Sequence, residues 1–257
     1  SYQVLTTVSH RFYGTPSEKL RVIGITGTNG KTTVSYLIES LLREAGFCVG
    51  VIGTISHRVG ERVIPAQNTT PGVLELQSLL AQMVQSGSDY AVMEVSSHAL
   101  DQKRVEGIRF STALFTNLAQ DHLDYHKTQE AYFQAKRKLF ESLDGEATAI
   151  VNADSPYAER IVSGIRSKRI TYGLRNRADI FATSLEATSE GISLDAVTPL
   201  GKIALVSPLI GTHNAYNILA AIGAGVAQGV PLATLQQGIE KLRGVPGRLE
   251  RVEAGQP

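Results

Sequence analysis

Between Leu20 and Val151 the chain alternates short apolar runs with stretches of helical period. Residues 22–25 form an apolar run bounded by turn formers. A glycine loop follows, and then residues 34–45 at helical spacing. Residues 49–52, 90–93, 113–115 and 147–151 predict further buried strands. Thr70-Pro71 predicts a helix start, with threonine as N-cap and proline at the first helical position, where its missing N–H costs nothing. Residues 128–143 predict a helix whose apolar stripe is Tyr132, Ala135, Leu139 and Phe140. Strands that are apolar on both faces, separated by helices, imply a parallel sheet covered on both sides. The fold class expected is therefore α/β, a P-loop-type, mostly parallel sheet flanked by helices.

The pattern changes near Asp179. Residues 181–194 and 203–206 read as a small antiparallel β subregion. Its turns fall at Ser189-Glu190-Gly191 and Pro199-Leu200-Gly201, and helices over 213–228 and 231–242 follow. Tyr36 and the other aromatics read as core. Residues 1–19 read as a polar, helix-like linker, 20–245 as one domain, and 246–257 as a linker with a strand leading onward from Arg248.

Composition narrows the class. A net charge of +1 gives no footprint for nucleic acid or an anionic membrane. Cys48 is the single cysteine, so no internal disulfide can form, and a reducing compartment is expected. The longest apolar run, residues 218–227, falls short of the roughly 18 residues that span a bilayer. The chain is expected to be soluble, cytoplasmic and monomeric.

The candidate chemistry begins at Gly27-Thr28-Asn29-Gly30-Lys31-Thr32-Thr33. A strand, glycine loop, Lys-Thr and helix together cradle phosphates. Backbone N–H groups and the helix N-terminus take the anionic oxygens, Lys31 reaches the β and γ phosphates, and the Thr32 hydroxyl holds Mg²⁺. The generic motif asks for glycine where Ile25 stands, so it is missed by one position. No asparagine is followed by lysine, which argues against a guanine-nucleotide switch and for ATP.

Glu94 ends an apolar strand at the edge where open α/β sheets place ligands. It suits Mg²⁺, with a helix-capping role as the alternative. Lys136 falls within the apolar stripe of its helix. A lysine there must be paired, neutral or modified, unless it snorkels to a rim. Arg104 is a candidate carboxylate fork or a surface arginine.

Thr26-Gly27-Thr28-Asn29-Gly30-Lys31-Thr32-Thr33 resembles the variant phosphate loop of the Mur ligases and their relatives, the folylpolyglutamate and cyanophycin synthetases. Asn68-Thr69-Thr70-Pro71, Glu94-Val95-Ser96-Ser97-His98-Ala99-Leu100, and the strings Phe115-Thr116-Asn117-Leu118 and Asp121-His122-Leu123-Asp124-Tyr125-His126 resemble its MurE-type branch. That branch adds the third residue of the peptidoglycan stem peptide to UDP-N-acetylmuramoyl-L-alanyl-D-glutamate. The resemblance runs from about Phe12 to the end and covers a central ATP-binding domain. The flanking uridine-binding and closing domains of the family are expected to lie outside this chain.

The resemblance implies ATP, two Mg²⁺ sites, a UDP-N-acetylmuramoyl dipeptide and an amino acid as ligands, and an acyl-phosphate route. It implies catalytic roles for Lys31, Glu94, His122 and Lys136. Metal ligation would fall to Thr32, Glu94, His122 and Lys136, the last as a CO₂-derived carbamate. Muramoyl-dipeptide contacts would fall to Thr69, Thr70, Ser96, Gln102 and Arg104. In His213-Asn214-Ala215-Tyr216-Asn217 it implies an adenine site at Asn214 and Asn217, although Asn214 could simply cap a helix. Arg248 would lie near the nucleotide. His126 and Asp121 receive no role. Another Mur-like ligase, or a nucleotide-binding module without catalysis, is the alternative reading.

Overall fold

A computed structural model describes residues 2–249, with side-chain surroundings from residue 4 onward. At its centre is β1 (Arg21–Thr26), buried at every position after Arg21. Alternate side chains of a strand face opposite ways. Val22 therefore packs into one core and Ile23 and Ile25 into the other. Parallel neighbours flank it, β5 (Tyr90–Glu94) on one side and β6 (Phe110–Phe115) on the other. Beyond β5 lie β2 (Val49–Ile52), β3 (Ser56–Val59) and β4 (Arg62–Pro65). Beyond β6 lie β7 (Thr148–Asn152), β8 (Lys168–Gly173), β9 (Ile180–Ala187), β10 (Ile192–Thr198) and β11 (Gly201–Ser207). Among the described residues these form one sheet in the order β11-β10-β9-β8-β7-β6-β1-β5-β2-β3-β4.

On one face, α2 (Lys31–Glu44), α8 (Thr212–Ala227) and α9 (Leu232–Lys241) bury Leu37, Leu41, Ile218, Ile222 and Leu235 against the sheet. On the other, α3 (Val73–Gln85) and α6 (Gln129–Glu141) contribute Leu76, Leu80, Phe133, Leu139 and Phe140. The chain enters through α1 (Tyr2–Phe12). Short helices α4 (Ser97–Asp101), α5 (Leu123–His126) and α7 (Ala158–Val162) complete the connections. Among the described residues, no helix is long and apolar enough to cross a membrane.

The α/β class and the central strands agree with the patterning. The expected antiparallel region is present as an extension of the main sheet, because β9 pairs in parallel with β8 through Tyr172↔Ile180 and Gly173↔Phe181. Two expectations change. The helix expected at Thr70-Pro71 starts only at Val73, with Gly72 as N-cap. The Thr70 hydroxyl is committed elsewhere, donating to Glu94 O at 2.9 Å and accepting from Ser96 N at 3.0 Å. Tyr36 is half-buried, with the Arg58 guanidinium 4.2 Å from its ring centroid. The onward strand expected from Arg248 falls mostly outside the described residues.

Candidate active site

The phosphate loop bridges β1 and α2, and its glycines have steric reasons. At Gly27 (φ 148°) a Cβ would lie 1.9 Å from Thr116 Oγ1. Gly30 (φ 89°) is the N-cap of α2, and a Cβ there would lie 2.4 Å from Asn217 Oδ1. The loop is braced from the end of β6. Thr116 Oγ1 donates to Asn29 O at 2.6 Å, while Asn117 accepts from Asn29 N at 3.0 Å and donates to Asn29 O at 3.1 Å. Thr116 and Asn117 belonged to a string with no role attached to it. The brace is visible only once β6 is paired with β1.

Lys31 curls over its own loop and donates to Gly27 O and Thr28 O, each at 2.9 Å. Burial lowers its pKa, with the carboxylates of Glu94 and Asp121 opposing. A nucleotide phosphate would offer this amine a stronger, charged acceptor than the two carbonyls.

The register Ile25↔Glu94 sets Glu94 beside the start of the loop. Its carboxylate is almost wholly buried, at 1% exposure. It accepts from Thr32 Oγ1 at 2.9 Å, from Thr54 N at 2.9 Å and from Thr54 Oγ1 at 3.0 Å. The capping alternative falls, because Ser96 caps α4. A threonine hydroxyl and a carboxylate at the head of a phosphate loop are hard oxygen donors of the kind Mg²⁺ takes, so the residues present fit the ion. Thr54 is a further site residue that patterning missed. It lies in the short link between β2 and β3, with no strand or helix signal of its own.

On the other side of the loop, α6 presents Lys136. It is 1% exposed and donates to Gly27 O at 2.9 Å, with Nζ 4.4 Å from the Tyr132 ring centroid. Snorkelling is thereby excluded. Burial, reinforced by the charge of Lys31, holds its pKa well below the usual lysine range. Tyr132 also bonds Thr28 Oγ1 at 3.1 Å, and its ring centroid lies 6.0 Å from that of His122. His122 has left-handed backbone (φ 52°) and a half-exposed side chain, with Nε2 3.6 Å from Asp121 Oδ2. Among the described residues, no three His, Cys, Asp or Glu side chains converge in metal-binding geometry.

Four of the five residues assigned to the muramoyl dipeptide form one hydrogen-bonded run. Arg104 donates to Thr70 O at 2.9 Å and to Gln102 Oε1 at 2.9 and 2.6 Å, and Thr70 Oγ1 reaches Ser96 Oγ at 3.4 Å. Arg104 is thus anchored and only part-exposed. Thr69 pairs instead with Thr54, at 3.1 Å.

A cleft of about 810 Å³ runs from Thr28–Thr33 past Thr54, Thr69 and Glu94 to Asn214, Asn217 and Arg248. Lys136, His122, Thr70, Ser96, Gln102 and Arg104 are not part of its lining. Asn214 lies inside the first turn of α8, whose N-cap is Gly211, so the capping alternative fails. Its amide donates to Ile210 O at 2.8 Å and its oxygen accepts from Asn217 at 2.8 Å.

A strand, glycine loop and Lys-Thr helix, with a carboxylate supplied by the adjacent parallel strand, define a P-loop nucleotide-binding domain. Within that class the chain belongs to the Mur ligase family, residues 25–225 matching the Mur ligase middle domain. It is 44% identical over 260 aligned residues to the UDP-N-acetylmuramoyl-L-alanyl-D-glutamate--2,6-diaminopimelate ligase of Bacillus licheniformis, covering 99% of this chain and 53% of that protein. The enzyme of the same name from Geobacter metallireducens is 48% identical, over 94% of this chain and 48% of its own. The chain spans about half the length of the curated relatives it matches. A solved structure of a ligase of that name superposes with a TM-score of 0.81 at 37% identity, over 89% of this chain and 47% of its own. MurF from Acinetobacter baumannii superposes equally well, at 0.81, over 96% of this chain and 52% of its own; at 22% identity this speaks for the fold alone.

Proposed function

We propose that these residues are the ATP-cleaving centre of a ligase that joins an amino acid to UDP-N-acetylmuramoyl-L-alanyl-D-glutamate, with 2,6-diaminopimelate, named in its relatives, as the amine. The pairing of Thr32 with Glu94 at the head of the phosphate loop carries this reading. The substrate carboxylate attacks the γ-phosphorus of ATP, ADP leaves, and an acyl phosphate forms. The amine then attacks the acyl carbon, phosphate departs, and the amine loses a proton. Nothing here requires a protein nucleophile; the demand is positioning and charge neutralisation.

Each residue then has a task. Loop amides and Lys31 hold the β and γ phosphates, while Asn214, Asn217 and Arg248 receive the nucleoside side. Thr32 and Glu94 would hold Mg²⁺, which supplies charge neutralisation of the transferring phosphoryl group. Thr69, Thr70, Ser96, Gln102 and Arg104 orient the muramoyl dipeptide. Lys136, buried beside Gly27 with its pKa lowered by burial, is suited to take up CO₂ and, with His122, would serve a second Mg²⁺. Residues 20–245 act as the central domain, working as a monomer in the cytoplasm, where ATP is supplied. The isolated 257 residues bind nucleotide but turn over little, the remaining half of the relatives' length being needed for substrate capture.

The reading is tested by ADP release from the protein that contains these residues. Release should require both the muramoyl dipeptide and diaminopimelate. Release indifferent to the dipeptide overturns the proposal, and faster turnover with lysine corrects the amine. Robust ligation by the isolated chain would overturn the division of labour.

A further inference from the structure

The far end of the cleft is built around an acid with no part in the steps above. Tyr172 lines it from β8, three strands from β1, its hydroxyl donating to Phe115 O at 3.0 Å. Tyr216 lines it from α8, half-buried. Behind Tyr216 sits Asp154, in the turn after β7. Its carboxylate accepts from three consecutive backbone amides, Leu174 N at 2.7 Å, Arg175 N at 2.9 Å and Asn176 N at 2.7 Å, and from Tyr216 Oη at 2.9 Å. One side chain thus ties the β7 turn, the turn that follows β8 and the second turn of α8. Gly173 leaves room for it, since a Cβ there would lie 3.2 Å from Asp154 Oδ1.

We propose that Asp154 is a positioning residue for nucleotide binding: by tying Tyr216 to the turn at 174–176 it fixes the Tyr216 ring, which lines the cleft, as the wall against which the nucleobase packs. The proposal rests on the ATP reading above. With the phosphates anchored at Thr28–Thr33, the far end of the cleft is left to the nucleoside. The Tyr216 hydroxyl is committed to Asp154, so the residue offers the cleft its ring rather than a free polar group. Burial pushes the Asp154 carboxyl up, and the three amides and the Tyr216 hydroxyl outweigh it, leaving an ionised acceptor. Burial and that same carboxylate push the Tyr216 phenol up to about 12, so it remains a donor.

The test compares ADP with pyrophosphate, which share the phosphate loop but not the nucleoside end, in calorimetric titrations of the chain. Asp154→Asn turns an amide toward backbone donors, and Tyr216→Phe removes a single O–H. Each should weaken ADP roughly tenfold, the worth of a hydrogen bond to a charged group, and leave pyrophosphate within about twofold. Because the two residues act through one bond, the double variant should be little worse than Asp154→Asn. Unchanged ADP affinity in both variants overturns the proposal, as does a parallel loss of ADP and pyrophosphate. Should Asp154→Asn fail to fold, Tyr216→Phe alone decides. A wild-type chain that binds neither ligand overturns the nucleotide reading itself, a result distinct from failure of the clasp.

Discussion

Lys31 and Lys136 donate to the same oxygen, the carbonyl of Gly27, each at 2.9 Å. A carbonyl has two lone pairs and can accept both, but two ammonium groups so placed repel. Burial lowers the pKa of both, and the charge of Lys31 lowers Lys136 further. Lys31 has Glu94 opposing its shift more strongly than any other group, whereas Lys136 has only Asp121. Of the two, Lys136 is therefore the one whose surroundings more strongly favour losing the proton, and only the proton-free amine can react with CO₂.

A stability signature follows for Lys136. Its folded pKa lies below its unfolded value near 10.5, so the unfolded chain binds the proton more tightly. The resulting penalty on folding is present at neutral pH and fades as pH rises toward the unfolded value. Lys136→Met removes the amine and should raise the denaturation midpoint in CO₂-free buffer. The gain over wild type should be larger at pH 7 than at pH 10. Equal gains at both would show an ordinary, charged lysine.

Carbamylation itself has a direct readout. ¹³C-labelled bicarbonate should leave a carbamate resonance on the wild-type chain and none on Lys136→Ala. In the full ligase, Lys136→Ala should lower turnover by on the order of 100-fold, with partial rescue by short carboxylates. Full activity without added carboxylate would remove the carbamate from the mechanism.

Gly30 is sensitive for two separate reasons. Alanine would be strained at φ 89° and would drive a methyl against Asn217 Oδ1. Gly30→Ala should cost about 1–3 kcal/mol by urea denaturation and weaken ADP binding. Gly46 is also left-handed (φ 85°), but with open space around it. Alanine there should cost stability without touching ADP, which separates backbone strain from damage to the site.

The central strands were legible because burial on both faces leaves them wholly apolar, as in 49–52 and 90–93. Lys136 was legible too, since a cation inside the stripe of Tyr132, Leu139 and Phe140 breaks a helical period. What patterning could not supply is partnership across the sheet. Thr70 looks like a cap until β5 is placed beside it and claims its hydroxyl through Glu94 and Ser96. The hairpin of β3 and β4 went unread, each strand being four residues long and β4 mostly exposed. Asp154 and Tyr216 stand 62 positions apart, and no local signal joins them.

Thr54 gives the sharpest case of a site residue hidden in a connection. Its amide and hydroxyl hold both oxygens of Glu94. Thr54→Val keeps the shape and the amide but frees one oxygen to rotate away from Thr32. Groups that orient a metal ligand are worth roughly 10–100-fold in affinity. The variant should therefore weaken Mg²⁺-dependent ADP binding by that order while leaving Mg²⁺-free binding nearly unchanged. Equal losses with and without Mg²⁺ would place Thr54 outside the metal site.

A last expectation concerns acid. His57 on β3 is 1% exposed, and its Nδ1 has no hydrogen-bond partner among the described residues. Burial lowers its pKa below the usual value near 6.5, with Glu75 opposing. As pH falls, the unfolded chain takes up this proton first, so stability declines through the unfolded value and goes on declining until the folded histidine also titrates. His98 and His126 are lowered as well, again chiefly by burial, and add to the slope in the same direction. The urea midpoint should therefore drop between about pH 7 and pH 5. His57→Leu fills the same apolar surroundings without a titrating group and should flatten part of that drop, with the other two histidines supplying what is left. A slope identical to wild type in His57→Leu would show that the buried imidazole is not among the groups that take up protons on unfolding.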